Sequence, residues 1–480
     1  MRVHRLAILT ASLALAACAS ARKADVRLPA GFEAPAQVTA ATPPPNAQAL
    51  DRWWILFGDA QLDTLVDSAL AANPDARSAA ARLREARATA TSGLTRFLPQ
   101  GDATGSAKRT HTEQLSGTVI NFPGFSTSGT TETEAANLNV SWELDLFGRI
   151  FAVGRAARGD IAAARFDYEG SRASLAAQVA DAYFQGRGLA IQLADAQQTV
   201  RIEEELFNLA TKRGQLGLAP TTDADRIAGD LAQARAQAAS LEAELQAQRR
   251  TLLILAGRPI DPTASVDLPA SVGRLPPVPA TIPSQLLARR PDVRRAQAQV
   301  QSASGRLLLQ DLAFFPTFTL TPGVGWARNV QPGFKTTTDS WTLGANVTQP
   351  ILSIPRLLAD LKAQDARTEQ AVIAYEKSVQ TAFGEAESSL VRLAAFERRV
   401  DVLKDGEARA ARGYEAARKG YGLGLTDLQT ALQAEQSWRA TRTQLTSTEV
   451  QGLRQAVTTF KALGGGWPAE TYPMQAKGGQ

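Results

Sequence analysis

RPDVRRAQAQVQSASGRLLLQDLAFFP, residues 290–316, has a counterpart far upstream in NPDARSAAARLREARATATSGLTRFLP, residues 73–99. Pro291, Asp292 and Pro316 answer Pro74, Asp75 and Pro99 at one separation of 217 residues. Each copy opens with Pro-Asp, where proline suits the first helical turn and a carboxylate complements the positive end of the helix dipole. Each closes on an aromatic-x-Pro break, beyond which a helical pattern gives way to alternation. Two such units at a fixed distance imply an internal duplication of roughly 200 residues.

After the first break, ANLNVSWELDL (136–146) alternates: Leu138, Val140, Trp142, Leu144 and Leu146 against Asn139, Ser141, Glu143 and Asp145. After the second, Phe318, Leu320, Val324 and Trp326 alternate with Thr317, Thr319, Gly323 and Gly325. Trp341, Leu343, Ala345 and Val347 then alternate with Thr342, Gly344, Asn346 and Thr348. Period two with one apolar and one polar face predicts strands whose faces meet different surroundings. A fourth strand, near Gln100 to Lys108, offers only Ala103 and Ala107 to the apolar side. Gly/Thr/Ser-rich stretches at 115–131 and 328–338 are expected to be the loops within each pair.

Each strand pair is followed by a stretch without proline, between Pro123 and Pro220 and between Pro355 and Pro468. Leu175, Val179, Ala182, Gly186, Leu189, Leu193, Ala196 and Val200 step alternately by four and three. Val372, Tyr375, Val379, Ala382, Ala386, Ser389, Leu393, Phe396, Val400 and Leu403 keep the same rhythm, as does a return helix from Leu231 to Leu255. Sustained heptad seams rich in alanine predict long, closely packed coiled helices. RGQLGLAP (213–220) and KGYGLGL (419–425) are short glycine-rich turns, so the helices form antiparallel hairpins. A helix from about Arg149 to Lys212 runs roughly 96 Å at 1.5 Å per residue, about three times a hydrocarbon core. It is expected to project as a rod.

The apolar run Leu6 to Ala16 follows Arg2, His4 and Arg5 and is too short to span a bilayer, which fits a signal peptide. Cys18, the sole cysteine, follows Leu15-Ala16-Ala17. That pattern resembles the lipobox of bacterial lipoproteins, whose cysteine carries diacylglycerol and palmitate. One cysteine also excludes an internal disulfide framework. Ala19, where an aspartate is absent, fits delivery to the outer membrane by the same resemblance. The Ala/Pro-rich stretch from Arg22 to Ala49 is expected to be an extended tether. Along the chain the expected division is a signal peptide (1–17), a lipid-anchored tether (18–50), a first repeat (51–270), a second repeat of the same plan (271–467) and a flexible tail (468–480). The net charge of +5 is spread among 52 basic and 47 acidic residues with no basic stripe, so nucleic acid is not an expected partner.

Four strands cannot close a membrane barrel alone, and an open sheet in lipid leaves edge amides unpaired at several kcal/mol each. Strands with one apolar face, a lipid anchor and long helical hairpins favour a barrel shared between copies of the chain. Its polar faces would line a lumen continuing into a tube of helices. WWILFGD (53–59), SWELDLFGR (141–149), LLARRPDVRRAQ (286–297), FFPTFTLTPGVG (314–325) and QPIL (349–352) resemble the outer-membrane efflux proteins of the TolC/OprM type, most of all the NodT group of lipoprotein channels. The resemblance covers Trp53 to Gly465. It implies an α+β membrane protein: a homotrimer with a 12-stranded outer-membrane barrel, continuous with a long periplasmic α-helical coiled-coil barrel. It also implies docking to a periplasmic adaptor and an inner-membrane transporter of the resistance-nodulation-division type, with passive conduction of drugs and toxic small molecules. An exit duct for secreted proteins shares this plan, and a lipid-tethered coiled-coil scaffold without a pore is the reading of another class.

No enzyme is expected. His111, the only histidine outside the signal peptide, lies in a Thr-rich stretch and reads as a surface-loop residue. No metal-ligand spacing, nucleophile elbow or phosphate loop is present, so no cofactor beyond the lipid on Cys18 is expected. The candidate functional residues are at the hairpin tips. Asp223 and Asp225 follow the first turn and Asp427 the second, each with an ordinary helix cap as the competing reading. Gly214, Gly217, Gly422 and Gly424 are the candidate adaptor-contacting turn residues. By resemblance, carboxylates inside the second tip would ring the pore, but Thr430 and Gln433 stand there, leaving Asp223 in the comparable place of the first. Asp223 and Asp230, one heptad apart, share a helix face; Asp225 is turned about 200° from Asp223.

Overall fold

The computed structural model describes residues 24–33, 50–116, 128–217, 220–278 and 283–469. Cys18, the signal peptide and most of the expected tail lie outside them. The two repeats have one plan. In the first, helix α1 (Ala60–Ala72) and α2 (Pro74–Thr95) lead into strands β1 (Gln100–Thr112) and β2 (Gly129–Leu144), then helices α3 (Arg149–Gln215) and α4 (Thr222–Leu255). In the second, α5 (Pro283–Arg289) and α6 (Pro291–Asp311) lead into β3 (Thr317–Gln331) and β4 (Phe334–Thr348), then α7 (Ile354–Gly422) and α8 (Leu428–Ala462). The long helices of 67 and 69 residues match in length, as do their returns of 34 and 35.

The compact units do not follow the repeats. One unit comprises Arg84–Ala163 and Gln297–Ile373; the other comprises Ala24–Leu83, Ala164–Ala296 and Ala374–Gln480. Each therefore draws on both halves of the chain.

The first unit holds an antiparallel sheet in the order β1-β2-β3-β4. Register decides its faces. Leu138 pairs with Val324 and Ala103, Trp142 with Leu320, and Val324 in turn with Trp341. Directly opposed residues share a face, so Ala103, Leu138, Val140, Trp142, Leu320, Val324, Trp341, Leu343 and Val347 lie on one side, with Asn137, Asn139, Gly323 and Thr342 on the other; Phe334, opposite Gln331 at the turn, falls on the polar side. Pairing between β2 and β3 lapses at Val140 and Ser141, opposite Pro322 and Thr321, because proline has no N–H to donate. Trp326, Trp341, Leu343 and Val347 are exposed despite their size. Beyond Trp326 the same face becomes ionic, with Arg328 to Glu134 at 3.2 Å and Arg109 to Glu132 at 3.5 Å.

Two expectations for this sheet need correction. The stretch 328–338 is not a loop: both strands run through it to a two-residue turn, Pro332-Gly333, with Gly333 at φ +82°. Its β-branched threonines suit an extended chain even without apolar alternation. His111 is in β1, not a loop, with Nδ1 3.1 Å from Thr130 Oγ1 across the strands.

At the base of the sheet Arg149 explains SWELDLFGR. Its guanidinium donates to Glu143 Oε1 (3.2 Å) and to the carbonyls of Leu312 (3.1 Å) and Phe315 (3.0 Å). Asp145 accepts from the N–H groups of Arg149 and Ile150, capping α3 where its first amides lack helical partners. Phe147 stacks on Phe315, so the strand-to-helix corner of the first repeat is tied to the aromatic break of the second. There α3 and α6 approach so closely that a Cβ on Gly305 would lie 2.4 Å from Ala156 N. No side chain fits at that crossing.

The second unit is built on Trp53, Tyr183, Phe184, Leu252, Leu390, Leu393 and Phe460, all essentially inaccessible to solvent. Trp53 stacks on Phe460 with centroids 5.6 Å apart. Asp59 caps α1 through Gln61 N and Leu62 N and accepts from Tyr183 Oη (2.8 Å) and Arg187 Nη1 (2.7 Å). In RRPD, Arg289 pairs with Asp51, while Arg290 reaches Asp292 and Glu385, both at 2.7 Å, and the Ala462 carbonyl. The heptad seams are buried as their spacing implies: Leu175, Val179 and Ala182 on α3, and Val379, Ala382, Ala386 and Leu393 on α7. The expected tether is not free along its described part. Residues 24–33 run extended, Val26 and Leu28 pack on Val293, Val379 and Ala382, and Phe32 stacks on Phe383.

Candidate functional site at the hairpin tips

Both hairpins turn within the second unit, and their ends share one small core. Leu206 and Ala210 of α3, Ile227 of α4, Tyr421 of α7, and Leu428, Ala431 and Leu432 of α8 are buried together. A cation clamps the two tips. Arg213 Nη1 donates to the Tyr421 carbonyl at 2.7 Å, and its guanidinium lies 4.9 Å from the centre of the Tyr421 ring. Tyr421 is buried, and its hydroxyl has no hydrogen-bond partner among the described residues. Burial raises the pKa of that phenol; Arg213 lowers it and the charge of Asp223 raises it again.

Of the four candidate turn glycines, two make the turns. Gly217 (φ +70°) and Gly424 (φ +77°) occupy the left-handed region, and their N–H groups return to the carbonyls of Gly214 and Tyr421. Gly214 and Gly422 are not turn residues: each lies in the last helical turn, inside α3 and α7 respectively. At each tip a single left-handed glycine ends the helix, and the glycine before it stays helical.

The carboxylates differ. Asp427 is the N-cap of α8: its Oδ1 accepts from Thr430 N at 2.7 Å, and that hydrogen bond holds its pKa below the usual range. Asp223 and Asp225 lie in the first turn of α4, whose N-cap, Thr221, makes no side-chain cap. Asp223 is half-buried and close enough to act on Tyr421, whereas Asp225 is exposed. Asp230, one heptad on, is again half-buried, so the shared face expected for Asp223 and Asp230 is present. Thr430 and Gln433 are exposed.

Behind the tips are residues that the sequence reading missed. Glu203 of α3 and Glu435 of α8 are 2% and 1% exposed and interact carboxyl to carboxyl. Arg439 lies 3.7 Å from Glu203 and 3.4 Å from Glu435. Burial, then the charges of Glu435 and Asp230, push the pKa of Glu203 up to about 7 against the opposing pull of Arg439; burial raises Glu435 as well. A signal existed: the steps of four and three along α3 reach Val200, and the next step of three lands on Glu203.

Among the described residues no group of acidic, histidine or cysteine side chains could hold a metal ion, and no helix is long and apolar enough to cross a membrane. The sequence pattern of the outer membrane efflux protein family matches residues 65–258 and 282–465, one segment in each repeat. The chain is 29% identical to the pyoverdine export outer membrane protein OpmQ of Pseudomonas aeruginosa, over 99% of this chain and 100% of the relative. It is 28% identical to the cation efflux system protein CusC of Escherichia coli, over 86% and 88%. Among solved structures, the outer-membrane channel OprN superposes with a TM-score of 0.76 at 26% identity, covering 92% of this chain and 98% of that one. The CmeC outer membrane channel of Campylobacter jejuni shares the fold, with a TM-score of 0.78 at 22% identity over 92% and 94%. With the family pattern spanning both repeats, this chain belongs to the outer membrane efflux protein family and acts as an outer-membrane component of an efflux system.

Proposed function

We propose that three copies of this chain close one 12-stranded barrel, four strands from each, whose lumen continues into a periplasmic tube of α3, α4, α7 and α8. The observation that carries this is the sheet itself. Leu138, Trp142, Val324, Trp326, Trp341, Leu343 and Val347 share one exposed face, and its outer strands β1 and β4 have no further neighbour among the described residues. In lipid those edges must be paired. From Phe318 to Trp326 the apolar face of β3 runs about 26 Å at 3.3 Å per residue, near the roughly 25 Å band of outer-membrane barrels. The charges beyond Trp326 then fall at headgroup level.

In this reading the tips form the periplasmic end of the channel, with Asp223 as a gate carboxylate and the Gly217 and Gly424 turns facing a periplasmic adaptor. An inner-membrane transporter of the resistance-nodulation-division type supplies the energy, and the channel conducts small molecules passively. The relatives' names, of pyoverdine export and cation efflux, support small cargo over secreted protein. Acylation of Cys18 would anchor the chain, with residues 24–33 carrying it along the second unit.

Multi-angle light scattering of detergent-purified protein tests the reading. Three chains per particle are expected, and channel current on reconstitution into planar bilayers. A folded monomer without current would overturn it and favour the scaffold.

A further inference from the structure

Glu203 and Glu435 belong to different hairpins, and one cation, Arg439, stands against their two charges. Both are buried within a single chain, so a neighbouring copy is not needed to exclude water. Glu203 Oε2 and Glu435 Oε2 are each without a hydrogen-bond donor among the described residues. Two ionised carboxylates cannot donate to one another, and a buried unpaired charge is costly. Arg439, on α8, is the cation within reach of both. The other charges facing the pair do not complete the balance. From α4, Asp230 adds negative charge, while Arg235 is engaged by Glu204 at 2.7 Å. From α7, Tyr414 stacks on Trp438 with centroids 5.1 Å apart, and its hydroxyl is pushed up to about 12 by burial and by Glu435. Arg418 of α7 pairs with Glu415 and lies 3.8 Å from Glu205. Arg442 of α8 is committed to Asp195 at 2.6 Å.

We propose that Glu203 and Glu435 form a proton-operated latch between the two hairpins. With one proton shared, a carboxylic acid donates to a carboxylate and α3 is held to α8; with that proton lost, two like charges part the helices. Leu206 lies one turn beyond Glu203 and Leu432 one turn before Glu435, both in the tip core, so parting the helices loosens the tips. A cavity of about 160 Å³ is lined by Ile202, Trp438 and Arg439, so it reaches the arginine that the pair shares. The direction follows from linkage. The packed state holds its proton more tightly than separated, solvated glutamates, so the latch is firm in acid. It weakens as pH rises from the ordinary glutamate range to about 7, and weakens no further above that. The latch itself rests on the carboxyl pair; its effect on conduction rests on the tips being the channel end.

Two readouts separate these. Infrared spectra of the purified protein should show a protonated carboxylic acid at about pH 6 that is gone by about pH 8 and is missing in Glu203→Gln. In planar bilayers, wild-type conductance should rise about threefold or more between about pH 5 and pH 8, while Glu435→Gln and Glu203→Gln, whose amides donate at any pH, stay low and flat. Absence of the acid band at pH 6 overturns the latch. A titrating band with wild-type and variant conductance alike overturns its coupling to the tips. A titrating band in a protein that never conducts overturns the channel reading and the gating role, leaving only a buried acid pair.

Discussion

The two hairpin tips are built to one plan, yet they use their carboxylates differently. Both end a long helix on a left-handed glycine and restart within a few residues. At the second tip Asp427 stands at the cap and is bound to the backbone of its own helix. At the first, Thr221 holds the cap position, and the carboxylates fall two and four residues later, inside the helix. Asp223 makes no cap hydrogen bond among the described residues, and its charge acts across space on Tyr421. A shift of a few residues separates a structural aspartate from one available for function.

The sharpest way to break this contrast is to unclamp the tips. Arg213→Ala removes a charged hydrogen bond and a cation over a ring, together worth about 2 kcal/mol, or about thirtyfold in the equilibrium between closed and open tips. Resting conductance should rise accordingly, and unchanged conductance would mean that the clamp does not bear on the channel. Asp223→Ala tests the free carboxylate. Cation-over-anion permeability, read as the reversal potential across a salt gradient, should fall about twofold, since a ring of such charges in a narrow throat favours cations. Asp225→Ala, on the exposed side, should leave it unchanged; equal effects would erase the difference between the faces.

The smallest effect belongs to the second tip. Asp427→Ala should lower Tm slightly at neutral pH without altering selectivity. Its pKa is lowered by the cap, so the contribution is present above the ordinary carboxylate range and vanishes as acidification protonates it. Thermal melts of wild type and variant should therefore converge at low pH. A selectivity change in this variant would place Asp427 in the pore after all.

How far the sequence carried varies with the kind of signal. Trp142, Val324 and Trp341 declared their face because period two survives whatever the sheet joins, and register then brought them into line. The hairpin arms at 328–338 did not, since threonines and charges there alternate nothing. Helix seams were legible until they turned polar: the reading stopped at Val200, one step short of Glu203, because a carboxylate on a seam breaks the pattern being followed. Arg213 was missed for another reason. A basic residue in the last turn of a helix is an ordinary dipole partner, and only the other hairpin, some 200 residues away, reveals what it binds.

The interleaving of the repeats sets an order for assembly. Strand β2 finds its inner neighbour only in β3, where Glu132 meets Val330, and Trp53 is completed by Phe460 near the far end of the described chain. The first repeat therefore reaches its destination with both its sheet and its core unfinished, and contacts this distant in sequence form slowly. Until the second repeat follows, an open strand edge and an uncovered tryptophan pair are exposed to aggregation. Expressed alone, the first repeat should need a holdase to stay soluble. Supplying the second repeat as a separate polypeptide should rescue it, the two fragments recombining as a split protein.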